Sequence, residues 1–566
     1  MSQWKIPLSI WDLIDKATYA NHSAEDFRSW KSQQTDKIDY GKVSIIVTTH
    51  NSENFIIPSI KSLLLQTYPN IQIIVVDDAS TDGTVGILQK FTSFHANVFL
   101  LRLNVNLGTY FAKNYGLSRA SGKFVFFQDS DDISHPDRIR LCVHALMVSG
   151  KASVSCLGIK FDPNSGKCFL KNGAATPFLS ISFAGRRDLF HKFGYFNCTR
   201  KASDGDFIFR CKTFGKNDDH VNVRIPLYFQ SIREGSLSFE MFAASRDGNN
   251  LRMHLTPGRL KYWQDFKNFY SQCTVKELPE IFRFPVLRDS IPVEKEMTLL
   301  ANPTDPVVFN LCSIPERKDI LGIVILSVIQ QCDRLNLYLD GYSEIPGYLK
   351  DFGDKVRVFT SDEYPGIHGN GKFIGLSEQN FDSYYFTIDD DIIYPPDYAQ
   401  CLLKKLMEFK NSIVAGIHGI ILPELPKKFW GKERRCLLFP RALKQDTLVN
   451  LLGTGTLAFH STLLRGLDFH DFKLSGISDI QFSVLCKLNA IPLLSVARHE
   501  NWLKAIRNSS PKLWEEAQKD DSRHVKLLGE SIPWGMKAIN QTLERMASKN
   551  GKGEEVEKLR ELLRTS

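Results

Sequence analysis

Val43-Ser-Ile-Ile-Val-Thr-Thr49 decides the fold: an apolar, β-branched run that reads as a strand buried on both faces. Working outward, a helical segment follows from Pro58 to Gln66, then a second run from Ile71 to Val76 and a helical stretch from Thr84 to Phe91. Val98 to Leu103, a helix around Ala112 to Arg119, and Phe124 to Phe127 continue the alternation. Strands of this kind alternating with helices predict an α/β fold with a mostly parallel sheet covered by helices. Such sheets place their ligands at the carboxyl ends of the strands.

The alternation fades after about Ser238, and the aromatic, charged segment from Phe239 to Leu300 reads as a helical connector. It then restarts, with strands at Val307 to Leu311, Leu335 to Leu339 and Tyr384 to Ile388, and a helix from Ile320 to Gln330. In both halves about 80 residues separate the first strand from a cluster of Asp residues, an architectural repeat more than a sequence repeat. The expected organisation is an N-terminal helical segment (1–40, with Trp4, Trp11 and Trp30), an α/β domain (41–240), a connector (241–300), a second α/β domain (301–506) and a helical C-terminal segment (507–566). In that last segment Leu559, Leu562 and Leu563 share one side of a charged helix, the mark of a packing or self-association helix.

Composition narrows the class. The 566 residues are 43% hydrophobic and 24% charged, with mean hydropathy −0.20, as in ordinary globular domains. The net charge of +8, from 71 basic and 63 acidic residues, is a mild bias that permits an anionic partner without requiring one. Eleven Cys residues without a C-x-x-C pair speak against a disulfide framework and a zinc knuckle, and for a reducing compartment. Met1 to Ser9 lacks a signal-peptide pattern, and Ile320 to Ile329 is far short of a spanning helix. The expected location is therefore cytoplasmic, with a peripheral place on the cytosolic face of the inner membrane left open.

The chemistry sits in two acid clusters. Phe126-Phe-Gln-Asp129-Ser-Asp131-Asp132 is followed by His135-Pro136, and Thr387-Ile-Asp389-Asp390-Asp391 runs into a Pro-marked helix start at Pro395. Acids spaced this way at a strand end can aim oxygen ligands at one hard divalent cation. Without a cation they would repel one another. A short solvated turn is the alternative for either cluster alone.

Context favours the first reading. Val43-Ser-Ile-Ile-Val-Thr-Thr-His-Asn51, Ile74-Val-Val-Asp77-Asp78-Ala-Ser-Thr-Asp82-Gly83-Thr84, and Asn106-Leu-Gly108 with Ala112-Lys-Asn114-Tyr-Gly116 precede the first cluster in order. From Lys42 to Ser238 the chain thus resembles the family 2 glycosyltransferases of GT-A fold. The resemblance implies that Thr49, Glu53 and Asp78 line a uridine pocket, that Lys113 and Asp129 lie near the nucleotide-sugar diphosphate, and that Asp131 is the main metal ligand. Inverting transfer needs a general base, and Ala202-Ser-Asp204-Gly-Asp206 occupies the place where that family presents one; Asp204 is the expected base, although Ser203 stands where Glu is common. Arg233 to Ser238 matches a basic segment that closes over the diphosphate.

The second cluster, with Gly371-Lys372-Phe373-Ile374, Gly416-Ile-His418-Gly419, Leu452-Gly453-Thr-Gly-Thr456 and Asn501-Trp502-Leu503, resembles the α-GlcNAc transferases of heparosan capsule synthesis, glycosyltransferase family 45, from Phe309 to Ile506. That likeness implies metal ligation by Asp391 and Asp389, nucleotide-sugar contacts by Arg317, Lys372, Asp389 and Asp390, and an acceptor-side role for Asp479. His499 is a further metal-ligand candidate, weighed against an ordinary core or surface histidine.

Together the halves resemble the bifunctional heparosan synthases. The resemblance implies one divalent metal (Mn²⁺ or Mg²⁺) per GT-A domain and UDP-GlcA and UDP-GlcNAc as donors. It also implies an acidic oligosaccharide acceptor, with capsule-export machinery at the membrane as a further partner to consider. A different N-terminal donor, or one half serving only to bind polymer, are the rival readings. Two look-alikes fall away: Asp78 to Gln89 lacks the bidentate acid that ends a calcium loop, and Gly366 to Lys372 is followed by Phe373 where a phosphate loop needs Ser or Thr. No nucleic-acid-binding pattern is present.

Overall fold

A computed structural model describes residues 38–162, 168–169, 179–215, 218–232, 245–247, 250–252, 257–466, 470, 472, 476–506, 520–549 and 551–565. The chain divides into two compact units, Met1–Leu300 and Ala301–Ser566. The expected N-terminal helices, up to residue 37, and the basic segment at Arg233 to Ser238 lie outside the described residues.

In the first unit, β1 (Val43–Thr49), β2 (Ile71–Asp78), β3 (Val98–Leu103) and β4 (Phe124–Asp129) form the parallel half of a sheet, in the order β3-β2-β1-β4. All seven residues of β1 are buried, as its unbroken apolar run requires. Helices α1 (Ile56–Leu64), α2 (Thr84–Phe94) and α3 (Thr109–Arg119) make the crossovers. Gly116 of α3 lies against β1, where an added Cβ would stand 2.6 Å from Ile46 Cγ2. Beyond β4 the sheet continues with two long strands, β6 (Ser153–Phe161) and β9 (His220–Ser231), and three short ones, β5 (Ile133–Ser134), β7 (Cys168–Phe169) and β8 (Ala184–Arg186). The path is β4-β8-β6-β9-β5, antiparallel at each step except between β6 and β9, with β7 on the side of β6.

The second unit repeats this plan. Its strands β10 (Val307–Ser313), β11 (Arg334–Leu339), β12 (Val356–Thr360), β13 (Tyr384–Asp389), β15 (Val414–Gly416), β16 (Thr447–Val449), β17 (Thr456–His460) and β18 (Leu493–Ser495) run in the order β12-β11-β10-β13-β17-β15-β18-β16. Three parallel steps, two antiparallel, one parallel and one antiparallel follow one another in both sheets. The short strand directly after each acid cluster pairs antiparallel in both units: β5 with β9, and β14 (Ile392–Ile393) with β19 (Lys504–Ala505).

The aromatic connector belongs to the first unit rather than standing apart from it. Helix α4 (Pro257–Tyr270) buries Tyr262, Phe266 and Tyr270 in the same core as β1 and β4. In the C-terminal segment α5 (Gly535–Ala547) and α6 (Gly553–Thr565) pack on the second unit; Leu559 is fully buried, and Lys410 pairs with Glu554 and Glu555, each at 2.8 Å. Among the described residues no helix is long and apolar enough to cross a membrane, and the described cysteines are free thiols.

Candidate active sites in two units

Both acid clusters fall where a doubly wound sheet binds ligands, at the carboxyl end of the strand beside the first. Asp129 ends β4 and Asp389 ends β13. In each unit a buried lysine reaches that carboxylate: Lys113 Nζ lies 3.0 Å from Asp129 Oδ1, and Lys372 Nζ 2.6 Å from Asp389 Oδ1. Both lysines come from the segment between the third and fourth strands, Lys113 from α3 and Lys372 from the short 3-10 helix His368–Phe373. A buried ammonium is costly unless paired, so each lysine is fixed to the strand end by its partner. Each Asp also donates its backbone N–H to a tyrosine hydroxyl, Tyr228 at 3.3 Å in the first unit and Tyr394 at 2.8 Å in the second.

The remaining acids divide by environment. Asp131 is half-buried beside Asp129. Asp132 turns inward and accepts from Tyr228 Oη at 2.6 Å and the Ser231 N–H at 2.8 Å. Burial, then Asp131 and Asp129, push its carboxyl well above the usual range. In the second unit Asp390 is buried against Arg317, whose Nη2 also lies 3.3 Å from Asp391 Oδ2. The pair already engages Arg317 Nη1 and Nη2, while Arg317 Nε has no hydrogen-bond partner among the described residues. Asp391 is pushed up to about 6, by burial first and by Asp389 next. Gly455 explains the glycines of the Leu452–Thr456 motif, because a Cβ there would stand 1.8 Å from Asp389 Oδ2.

The uridine-pocket candidates cluster at the ends of β1 and β2, and two of them brace loops. Thr49 is buried, with an Oγ1 that has no hydrogen-bond partner among the described residues. Glu53 accepts the Gly83 N–H at 2.8 Å, at the start of α2. Asp78 takes the N–H groups of Leu107 and Gly108, both at 2.8 Å, and so holds the loop that leads into α3 and Lys113.

Helix α7 (Ser203–Phe214) opens with Ser203-Asp204, and helix α8 (Ser478–Leu488) opens with Ser478-Asp479. Each helix lies between the fifth strand of its sheet path and the strand that returns beside the sixth, so the two Ser-Asp pairs are topological counterparts. Asp204 accepts from Tyr110 Oη at 2.9 Å and from Ser180 Oγ. Tyr110 is buried, which keeps its phenol protonated as a donor, and its ring lies 5.1 Å from Lys113 Nζ. Asp204, Tyr110, Lys113 and Asp129 thus form one connected arrangement. Asp206, two residues on, faces the opposite way: it is fully buried with Arg210 (3.4 Å) and Tyr262 Oη (3.1 Å), and tied to Tyr270. Asp479 accepts the N–H and the Oγ1 of Thr454, at 2.8 and 2.7 Å, in the loop that presses Gly455 on Asp389. His499 donates its Nδ1–H to the Glu500 carbonyl, 3.0 Å away.

Among the described residues no three His, Cys, Asp or Glu side chains converge into a ready ligand set. The donors still suit a hard divalent cation that also takes diphosphate oxygens. Asp129 with Asp131, and Asp389 with Asp391, are carboxylate pairs one residue apart at a strand end, and the strand-ending side chains are 37% and 40% exposed. Tyr110, Ser180, Tyr228, Tyr394 and Gly455 were not anticipated. Of these, Tyr110 carried a signal, since it sits three residues before Lys113 on one helix face.

Residues 44–207 match the profile of Glycosyl transferase family 2. TuaG of Bacillus subtilis, named as a teichuronic acid biosynthesis glycosyltransferase, is 36% identical over 105 residues, 19% of this chain and 42% of that protein. The Escherichia coli UDP-Glc:alpha-D-GlcNAc-diphosphoundecaprenol beta-1,3-glucosyltransferase WfaP is 36% identical over 102 residues, 18% of this chain and 40% of that protein. The chain thus spans less than half the length of these curated relatives. Among solved structures, Staphylococcus aureus TarS 1-349 in complex with UDP-GlcNAc aligns at 25% identity and TM-score 0.30, over 34% of this chain and 60% of that one. Likenesses that loose bear on neither substrate nor mechanism. The match of residues 44–207 identifies the N-terminal α/β domain as a family 2 glycosyltransferase domain.

Proposed function

We propose that the chain is a bifunctional polysaccharide synthase that alternately transfers GlcA from the N-terminal site and GlcNAc from the C-terminal site onto a heparosan-like chain. The observation that carries the two-site reading is the repeated plan: a buried lysine on a strand-ending aspartate, and a Ser-Asp helix start facing it in the topology, once per unit. A structural or polymer-binding half would have no use for a second set. The assignment of GlcA and GlcNAc rests on the sequence resemblance.

At the N-terminal site Asp204 is the group that takes the acceptor hydroxyl's proton as that oxygen attacks the anomeric carbon and the nucleoside diphosphate departs. Tyr110 and Ser180 orient its carboxylate. Asp129 and Asp131, and Asp389 and Asp391 in the other unit, would hold a divalent cation that neutralises charge on the leaving diphosphate. Lys113 and Lys372 supply cationic charge beside the same position. At the C-terminal site, where configuration is expected to be retained, Asp479 holds the Thr454–Gly455 loop on the acceptor side.

The test is incorporation of labelled sugar into a short glycan primer with Mn²⁺, offering UDP-GlcNAc and UDP-GlcA singly and together. One addition with a single donor and long polymer with both is the expected result. GlcNAc transfer with UDP-GlcA ignored would overturn the N-terminal assignment.

A further inference from the structure

Beside the helix start that carries Asp479 lies a group of side chains that none of the roles above uses. Arg434 stacks its guanidinium 4.1 Å from the Trp430 ring centroid and 4.9 Å from that of Phe429. Phe429 in turn stacks on His524 at 4.9 Å. His524 belongs to the helix Ser522–Gly529, which packs on α8. Phe429, Ile480 and Val484 share one apolar cluster, with Trp430 against it, so the group is anchored next to Asp479. Asp521 fixes the backbone by accepting the Phe429 and Trp430 N–H groups at 2.8 and 3.4 Å.

Among the described residues three buried polar atoms in this group have no hydrogen-bond partner: Trp430 Nε1, Arg434 Nη1 and His524 Nδ1. Two are obligate donors, and the third can donate. Leaving such an atom unpaired costs about 1–3 kcal/mol, so an acceptor brought to this group would be favoured. Arg434 is half-buried and makes no ion pair among the described residues. Arg434 and Asp479 act in opposite directions on His418, whose imidazole burial holds below its ordinary range.

An aromatic group carrying a stacked guanidinium and further donors suits a sugar ring that bears a carboxylate. We infer that Arg434, Trp430 and His524 form the C-terminal unit's acceptor subsite, and that Arg434 reads the carboxylate of a terminal uronic acid. The inference deepens the proposed function and rests on it for the placement of the acceptor. It also supplies a physical basis for alternation. Asp204 is approached by neutral hydroxyls, from Tyr110 and Ser180, whereas its counterpart Asp479 has an arginine without a carboxylate partner nearby.

The test titrates the full chain, with UDP and Mn²⁺ present, against a GlcA-ended oligosaccharide and its carboxyl-reduced, glucose-ended counterpart. Wild type should bind the uronate-ended glycan about tenfold more tightly. Arg434→Ala should erase that preference and leave binding of the reduced glycan unchanged. Arg434→Gln, closer in size, serves if the alanine variant is unfolded. A preference that survives in a folded Arg434 variant, or that wild type lacks, overturns the subsite. An Arg434-dependent preference in a chain that transfers nothing from UDP-GlcNAc would keep the subsite and sink the proposed function. Transfer with no such preference would do the reverse.

Discussion

The two units place the same pair of groups on the same scaffold and then distribute charge around it differently. In the first, one cation, Lys113, faces the strand-ending Asp129, and the third acid, Asp132, is spent on the sheet through Tyr228 and the Ser231 N–H. In the second, Lys372 faces Asp389 while Arg317 holds Asp390 and Asp391. The lesson is that the lysine-to-strand-end pair belongs to the shared plan, and the remaining carboxylates are free to serve either the fold or the ligand. The Ser-Asp helix starts differ in the same way. Asp204 is oriented by side-chain hydroxyls, whereas Asp479 is also a strut for the loop that shapes the floor under Asp389.

The largest effect should come from Gly455→Ala. Its Cβ would overlap the Asp389 carboxylate at 1.8 Å, so the carboxylate must move. Transfer by the C-terminal unit should fall on the order of 10²-fold or more, with N-terminal transfer unchanged, as read by single-donor assays. Equal loss in both reactions would mean that the units are not independent.

Next in size is a change that separates fold from chemistry within four residues of α7. Asp204→Asn should abolish N-terminal transfer and leave the melting midpoint near that of wild type. Asp206→Asn should lower stability by about 3 kcal/mol or more, because it strips the buried Arg210 of its carboxylate. A thermal melt paired with the donor assay checks both.

Smaller and pH-dependent is the effect of the cation on the second unit. Asp391 has its folded pKa raised to about 6, chiefly by burial, against about 3.9 in an unfolded chain. Metal-free, its contribution to stability is therefore complete below about pH 4 and is lost as the pH rises through about 6. Below pH 6 a proton competes with the cation for this carboxylate. The rise in melting temperature on adding Mn²⁺ should thus be larger at pH 7 than at pH 5, and Asp391→Asn should flatten that difference.

The parallel half of each sheet was legible because strands such as Val43–Thr49 and Val307–Ser313 are buried on both faces and leave unbroken apolar runs. Asp129 and Asp389 were legible because acids at the end of such a run have nowhere to go but the strand's open end. The antiparallel half was not: Ala184–Arg186 and Val414–Gly416 are three residues long, too short for any period to register, and the longer Ser153–Phe161 and His220–Ser231 bury their residues without a regular alternation. The connector reads as a separate element because its aromatic residues look alike whether they bridge domains or, like Tyr262 and Tyr270, close a core around Asp206. Asp204 and Asp206 could be told apart in principle, since residues two apart on a helix point in nearly opposite directions. Only contacts reveal which of the two faces inward. The cradle at Gly455 left a glycine motif whose reason is an approach between segments far apart in sequence, and the stack at Arg434, built the same way, left no local trace.

The central claim is that the chain holds two independent transfer sites built on one plan. The direct measurement mixes two variants, Asp131→Asn and Asp391→Asn, with both UDP-sugars and a primer. Each alone should add a single sugar and stop, the first GlcNAc and the second GlcA, and the mixture should restore polymer. Full polymerisation by either variant alone, or no transfer by both, would contradict the account.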